Sequence, residues 1–223
     1  MKKKLFAACL ALAAFAVVPS QASARPVLTQ PTATVLGTPT SIVGTNVGVV
    51  NLTTAVGTLT CSAAKLTGTL RTNGTVSGFE DEIESAVFGG TGLQAMGEPE
   101  PECTGTGLLS GNASVTSTGL PWCLSATLNA DQAALHGGRC LGVEGPIGFD
   151  LAITGVGNCE YSRSEAVLST IATDTGGASS IAIAQVAFPK SAGPGMCPAE
   201  IKLDVTLSLE TDTSPANAIN ISS

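Results

Sequence analysis

Charge is scarce in this chain, and what there is leans acidic. Asp, Glu, Lys and Arg make up 12% of residues, with 10 basic side chains against 17 acidic ones. That balance argues against nucleic acid or an anionic membrane surface as a partner. The chain has one histidine, His136, one tryptophan, Trp122, and one tyrosine, Tyr161. Any Ser-His-Asp or Cys-His centre would have to use His136. A sugar-binding face built from several aromatic rings has too few rings to draw on. There is no Gly-x-Ser-x-Gly elbow, no Cys-x-x-Cys pair and no sustained helical period. Beyond residue 18 no long apolar run occurs either.

The one long apolar run that does exist lies at the start. Lys2, Lys3 and Lys4 precede an apolar stretch over residues 5–18, Pro19 breaks it, and Ala22-Ser23-Ala24 follows. This is the layout of a secretory signal peptide over residues 1–24, too short for a spanning helix. Cys9 falls inside it. Removing 24 of 223 residues leaves 199, and removing three lysines leaves 7 basic against 17 acidic groups, a net charge of −10. The expected product is secreted, extracellular or on the cell surface, with no membrane insertion after cleavage. A chain of this length can bury roughly 70% of its unfolded surface around one core.

What remains is rich in Gly, Ala, Ser, Thr and Val, with apolar runs punctuated by Gly and Pro. The expected fold is all-β, a single-domain sandwich or barrel of antiparallel strands. Residues 25–45 read as a Pro/Thr-rich leader or edge segment, 46–213 as the β domain and 214–223 as a flexible tail. Strands are expected over 47–50, 56–64, 66–70 and 82–88, with Asn73-Gly74 as a hairpin turn. Further strands are expected over 124–128, 149–155, 166–172 and 180–188. In residues 201–209 every odd position is apolar and every even one polar. Each buried member of such a strand contributes about 1.5–3 kcal/mol, and a one-residue slip would invert the faces.

Six cysteines are left in the mature chain, an even number for an oxidising compartment. Two segments share one plan, running from Cys61 to Cys103 and from Cys159 to Cys197. Each reads cysteine, strand, tight turn, strand ending in Phe (Phe88, Phe188), Gly/Pro loop, cysteine, strand. Closing each hairpin at its ends selects Cys61–Cys103, Cys123–Cys140 and Cys159–Cys197 among the possible pairings. That leaves no thiol for chemistry. No metal or cofactor is expected.

Several local patterns offer chemistry. Asp174-Thr175-Gly176 has the form of an aspartic-protease triplet, which would need a second copy opposite it, and it equally suits a turn between strands. His136, in Leu135-His136-Gly137-Gly138-Arg139, reads as a loop histidine rather than a catalytic base. Glu80, Asp81, Glu82 and Glu84, with Glu98, Glu100 and Glu102, could crowd oxygen ligands for Ca²⁺. Their spacing matches no calcium loop, so solvated charge is the simpler reading. Trp122 is expected to cap the core against the Cys123–Cys140 disulfide. The loop before Cys197 could brace an inhibitor strand. N-x-S/T sites occur at Asn51, Asn73, Asn112 and Asn220.

With the cysteine frame and Leu120-Pro121-Trp122, residues 56–213 resemble small secreted bacterial proteins known as activators of alkane oxidation. The resemblance runs through Cys61, Cys103, Leu120 to Trp122, Cys159 and Cys197. It departs at Cys123, Cys140 and the acidic loop. It implies an extracellular, non-catalytic surface protein associated with hydrophobic substrates or matrix, and brings no catalytic residues. The expected function is therefore a secreted, non-enzymatic structural or surface-interaction protein, with self-association or an extracellular protein partner. A protease inhibitor is the alternative, and a hydrolase using Asp174 or His136 a third reading.

Overall fold

A computed structural model of the chain describes residues 26–30, 34–74, 78–89, 103–126, 132–172, 179–213 and 218–222. The segments 1–24, 98–102, 129–131 and 174–176, which carry the signal peptide, the outer acids, a turn and the Asp-Thr-Gly triplet, lie outside them. The described residues form β1 (Val27–Thr29), β2 (Thr40–Asn46), β3 (Val50–Thr54), β4 (Gly57–Cys61), β5 (Ala63–Gly74), β6 (Gly78–Gly89), β7 (Cys103–Gly105) and β8 (Gly111–Thr118). They continue with β9 (Trp122–Ala126), β10 (Gln132–Gly137), β11 (Ile147–Ile153), β12 (Gly157–Arg163), β13 (Val167–Ala172), β14 (Ser180–Ala192), β15 (Glu200–Thr211) and β16 (Asn220–Ser222). All pairings among them are antiparallel. The all-β class is as the sequence implies, and of sandwich or barrel the molecule is a barrel.

The ring runs β10-β13-β14-β12-β11-β8-β7-β4-β3-β15-β2-β5-β6-β9 and closes from β9 to β10. Two further pairings, β14–β15 and β6–β8, cross it. The β14–β15 hairpin thus divides the ring into two circuits that share it. One circuit is β15-β2-β5-β6-β9-β10-β13-β14, the other β14-β12-β11-β8-β7-β4-β3-β15. The hairpin serves both because its strands are long. The early part of β14 pairs with β13 (Ile171↔Ile181), the late part with β12 (Tyr161↔Lys190). Likewise β15 pairs with β3 at Leu203↔Leu52 and with β2 at Leu209↔Gly44. The change of partner in β14 coincides with a bulge between Ile183 and Val186, where Gln185 takes φ 53°. A bulge bends and twists a strand so that it can follow two surfaces. Asp204 holds it, accepting hydrogen bonds from the Gln185 backbone N–H (2.9 Å) and from Gln185 Nε2.

Alternation fills the interior. Ile201, Leu203, Val205, Leu207 and Leu209 of β15 all point inward, as their odd spacing requires. At the junction of the circuits three aromatic rings meet Phe149 edge to face. Phe88 lies 5.6 Å from it, Trp122 5.8 Å and Phe188 5.0 Å between ring centroids. The two phenylalanines that mark the parallel Cys61 and Cys159 segments therefore converge on one ring. Trp122 does not cap the disulfide. It points into the core and donates Nε1–H to Thr118 O at 2.9 Å, while its neighbour Cys123 takes the opposite side of β9.

The chain ends differ from expectation. The stretch read as a leader contains β2, which pairs on both sides, with β15 and β5, and so is no edge. Residues 47–49 form the turn out of it, with Val47 and Val49 exposed. The stretch read as a tail contains β16, which pairs with β1 as a separate two-stranded sheet, and Ile219 and Ile221 are buried. β structure thus extends beyond 46–213 at both ends. Asn73 is the reason β1 docks. Its Oδ1 accepts from Leu28 N–H at 2.8 Å, and its Nδ2 donates to Leu28 O at 2.8 Å and Leu36 O at 3.0 Å. One side-chain amide thus takes the place of a neighbouring strand. Asn73 pairs with Phe79 in the β5–β6 ladder and is not a central residue of the hairpin turn.

Replacing Asn73 with alanine takes the acceptor from Leu28 N–H and a donor from Leu36 O, leaving Leu28 O only the N–H of Leu36, at a cost of about 1–3 kcal/mol. Limited proteolysis with mass mapping should show earlier cleavage between β1 and β2 in Asn73→Ala. Unchanged protection would mean that the clamp does not hold β1.

Candidate functional site: a carboxyl inside the barrel

The chemically distinctive group is one that the sequence disguises. Glu80, Asp81 and Glu82 look like a run of surface acids, but Phe79, Asp81 and Ile83 of β6 face inward, and Glu82 between them is buried as well. Asp81 is 4% exposed and lines a cavity with Ile42, Leu124, Leu135, Ile181 and Leu209. Gly68 of β5 makes room for it, since a Cβ there would stand 2.8 Å from Asp81 Oδ1. Asp81 Oδ1 has no hydrogen-bond partner. The expected return strand begins at residue 82, which hid the inward phase of residue 81. Phe79 and Ile83, two apolar residues flanking Asp81 at even spacing, were the available signal, while a register shift puts Ala86 and Phe88 on the other parity.

Burial is the main reason the Asp81 carboxyl is pushed up to about 7, from 3.8. The negative charge of Glu84 adds to the rise, Arg71 opposes it and Glu82 adds a little more. Arg71 is committed elsewhere, to Glu82 Oε1 at 2.9 Å and Glu84 Oε1 at 3.3 Å. The space open to the centre of a water molecule is about 20 Å³. That is room for about one water and far below the several hundred Å³ of an ordinary ligand pocket. The arrangement can hold or release a proton. It cannot seat a substrate beside the acid without the barrel opening.

The other singled-out residues are not gathered around it. His136 lies in β10 rather than in a loop, opposite Cys123, with Nδ1 3.1 Å from Gly137 O. The described acids Glu80, Asp81, Glu82 and Glu84 form no metal-binding group of three or more His, Cys, Asp or Glu, and none occurs elsewhere among the described residues. The loop before Cys197 is shorter than expected, because β14 continues to Ala192. Beyond Gly193 it closes into a turn, with Cys197 N–H donating to Pro194 O at 3.0 Å. An inhibitor loop needs an extended, substrate-like strand instead. Of the N-x-S/T asparagines, Asn73 is occupied as described and Asn51 Oδ1 accepts from Thr60 Oγ1 at 3.1 Å.

Three disulfides brace the barrel: Cys61–Cys103, Cys123–Cys140 and Cys159–Cys197. These are the pairings the hairpin argument selects. The first ties β4 to its neighbour β7, and the second ties β9 to the loop that follows β10. The third joins β12 to the turn before β15. No helix among the described residues is long and apolar enough to cross a membrane. Comparison with protein-family models, with curated proteins and with solved structures gives no match.

Proposed function

We propose that this is a secreted, non-enzymatic structural or surface-interaction protein of the cell exterior. The observation that carries the reading is a closed barrel filled by its own side chains and cross-linked at three places. Cross-links of this kind persist outside the reducing cytosol. The signal-peptide pattern over residues 1–24 supports the same compartment. Contact with a partner is through loops rather than strand edges. The strands most prone to edge pairing, β14 and β15, are each paired on both sides. Leu141 and Val143, 83% and 90% exposed, stand on the loop that carries Cys140. Fractionation of the producing cells, followed by intact mass, tests the reading. The expected form lies outside the cytoplasm, begins at Arg25 and has no free thiol. A reduced cytoplasmic chain retaining residues 1–24 would overturn it.

A further inference from the structure

We infer that Asp81 is a buried proton switch: ionisation of this unpartnered carboxyl inside the barrel loosens the β5–β6–β9 section, and protonation closes it. Two observations place the switch here. The carboxyl is aimed into an apolar cavity with Oδ1 unpaired. An ionised carboxylate in such a setting has room for about one water and a nearby cation already shared with two other acids, so the neutral form is favoured. The surrounding ladder is also interrupted on both sides of Asp81. Register shifts fall between Thr67 and Gly68 and between Leu70 and Thr72. Between them lie only the pairs Gly68↔Ile83, Thr69↔Glu82 and Leu70↔Asp81, a short island that can part without the rest of the barrel.

The charged surroundings do not rescue the ionised form. On β6 itself Glu82 and Glu84 repel it. On β5 Arg71, the one nearby cation among the described residues, already pairs with both of them. From β9 the partner across the ladder is Leu124. From β2, β10, β14 and β15 the cavity is met by Ile42, Leu135, Ile181, Ile183, Leu207 and Leu209, none of which can titrate.

The sign follows from the direction of the displacement. With the folded value near 7 and the free value at 3.8, the closed section is favoured in acid. It loses ground as pH rises from about 4 to 7 and changes little above that. The displacement corresponds to a change of up to about a thousandfold in the opening equilibrium.

Hydrogen exchange of the oxidised protein tests this, with each rate corrected for the intrinsic effect of pH. Amides of Gly68 to Leu70 and of Glu82 should lose protection between pH 5 and pH 8, while those of Leu151 and Tyr161 keep theirs. In Asp81→Asn the pH dependence should vanish. Pairing the exchange with carbon-13 titration of the Asp81 carboxyl in the unmutated protein covers the case in which that variant fails to fold. A midpoint near 7 supports the switch. An ordinary carboxylate midpoint, equal pH dependence in Asp81→Asn, or uniform loss across β11 and β12 would each overturn it.

Discussion

Reducing all three disulfides is expected to unfold the protein without added denaturant. In the loop-entropy account the Cys61–Cys103 and Cys159–Cys197 bridges, 42 and 38 residues apart, each contribute about 4 kcal/mol. Cys123–Cys140, 17 residues apart, contributes about 3 kcal/mol. Together these rival the whole net stability of a typical domain, about 5–15 kcal/mol. Each bridge shortens a loop that the unfolded chain would otherwise have to close, which is the entropic part of its contribution. Trp122 fluorescence and near-ultraviolet circular dichroism would follow the loss in reduced, alkylated protein. Replacing one pair, Cys61→Ala with Cys103→Ala, should cost about 2–5 kcal/mol. A reduced chain that kept a cooperative transition near the oxidised midpoint would contradict the account.

The largest loss from one side chain is expected at Phe149. It is 1% exposed and is touched edge to face by Phe88, Trp122 and Phe188, from three other strands. Truncation to alanine removes its burial and leaves a cavity, for about 3–5 kcal/mol. Each of the three ring contacts adds about 0.5–1.5 kcal/mol beyond burial, so the upper part of the range applies. Leu168, outward-facing on β13 and exposed, is the matched control, and Leu168→Ala should stay within about 0.5 kcal/mol. Guanidinium midpoints at constant slope would measure both. A loss below about 1 kcal/mol at Phe149 would mean the two circuits do not share this junction.

Local patterns told the truth where one face alone decided the outcome. The alternation of residues 201–209 became β15 with every odd residue inside, and the hairpin plan around the cysteines gave the bridges seen. The errors arose where a distant partner decides. Val27 to Thr29 and Asn220 to Ser222 are too short to read as strands, and they become strands by meeting each other. Asn73-Gly74 has the chemistry of a turn, yet Asn73 is used to hold Leu28. Trp122 and Cys123 are adjacent in sequence, and strand geometry sends them to opposite sides. Asp81 was hidden by its two acidic neighbours, because charge usually marks solvent and only the phase of β6 shows otherwise. The candidate site was therefore less legible than the fold: the single residue that defines it has the composition of surface and the position of core.

Peptide mapping of the isolated protein under non-reducing conditions tests the central claim, a closed barrel braced at three fixed places, most directly. The expected result is three cross-linked peptide pairs, Cys61 with Cys103, Cys123 with Cys140 and Cys159 with Cys197, and no alkylated thiol. Free thiols, or any crossed pair such as Cys61 with Cys159, would contradict it, because those residues sit in strands that this barrel keeps on separate bridges.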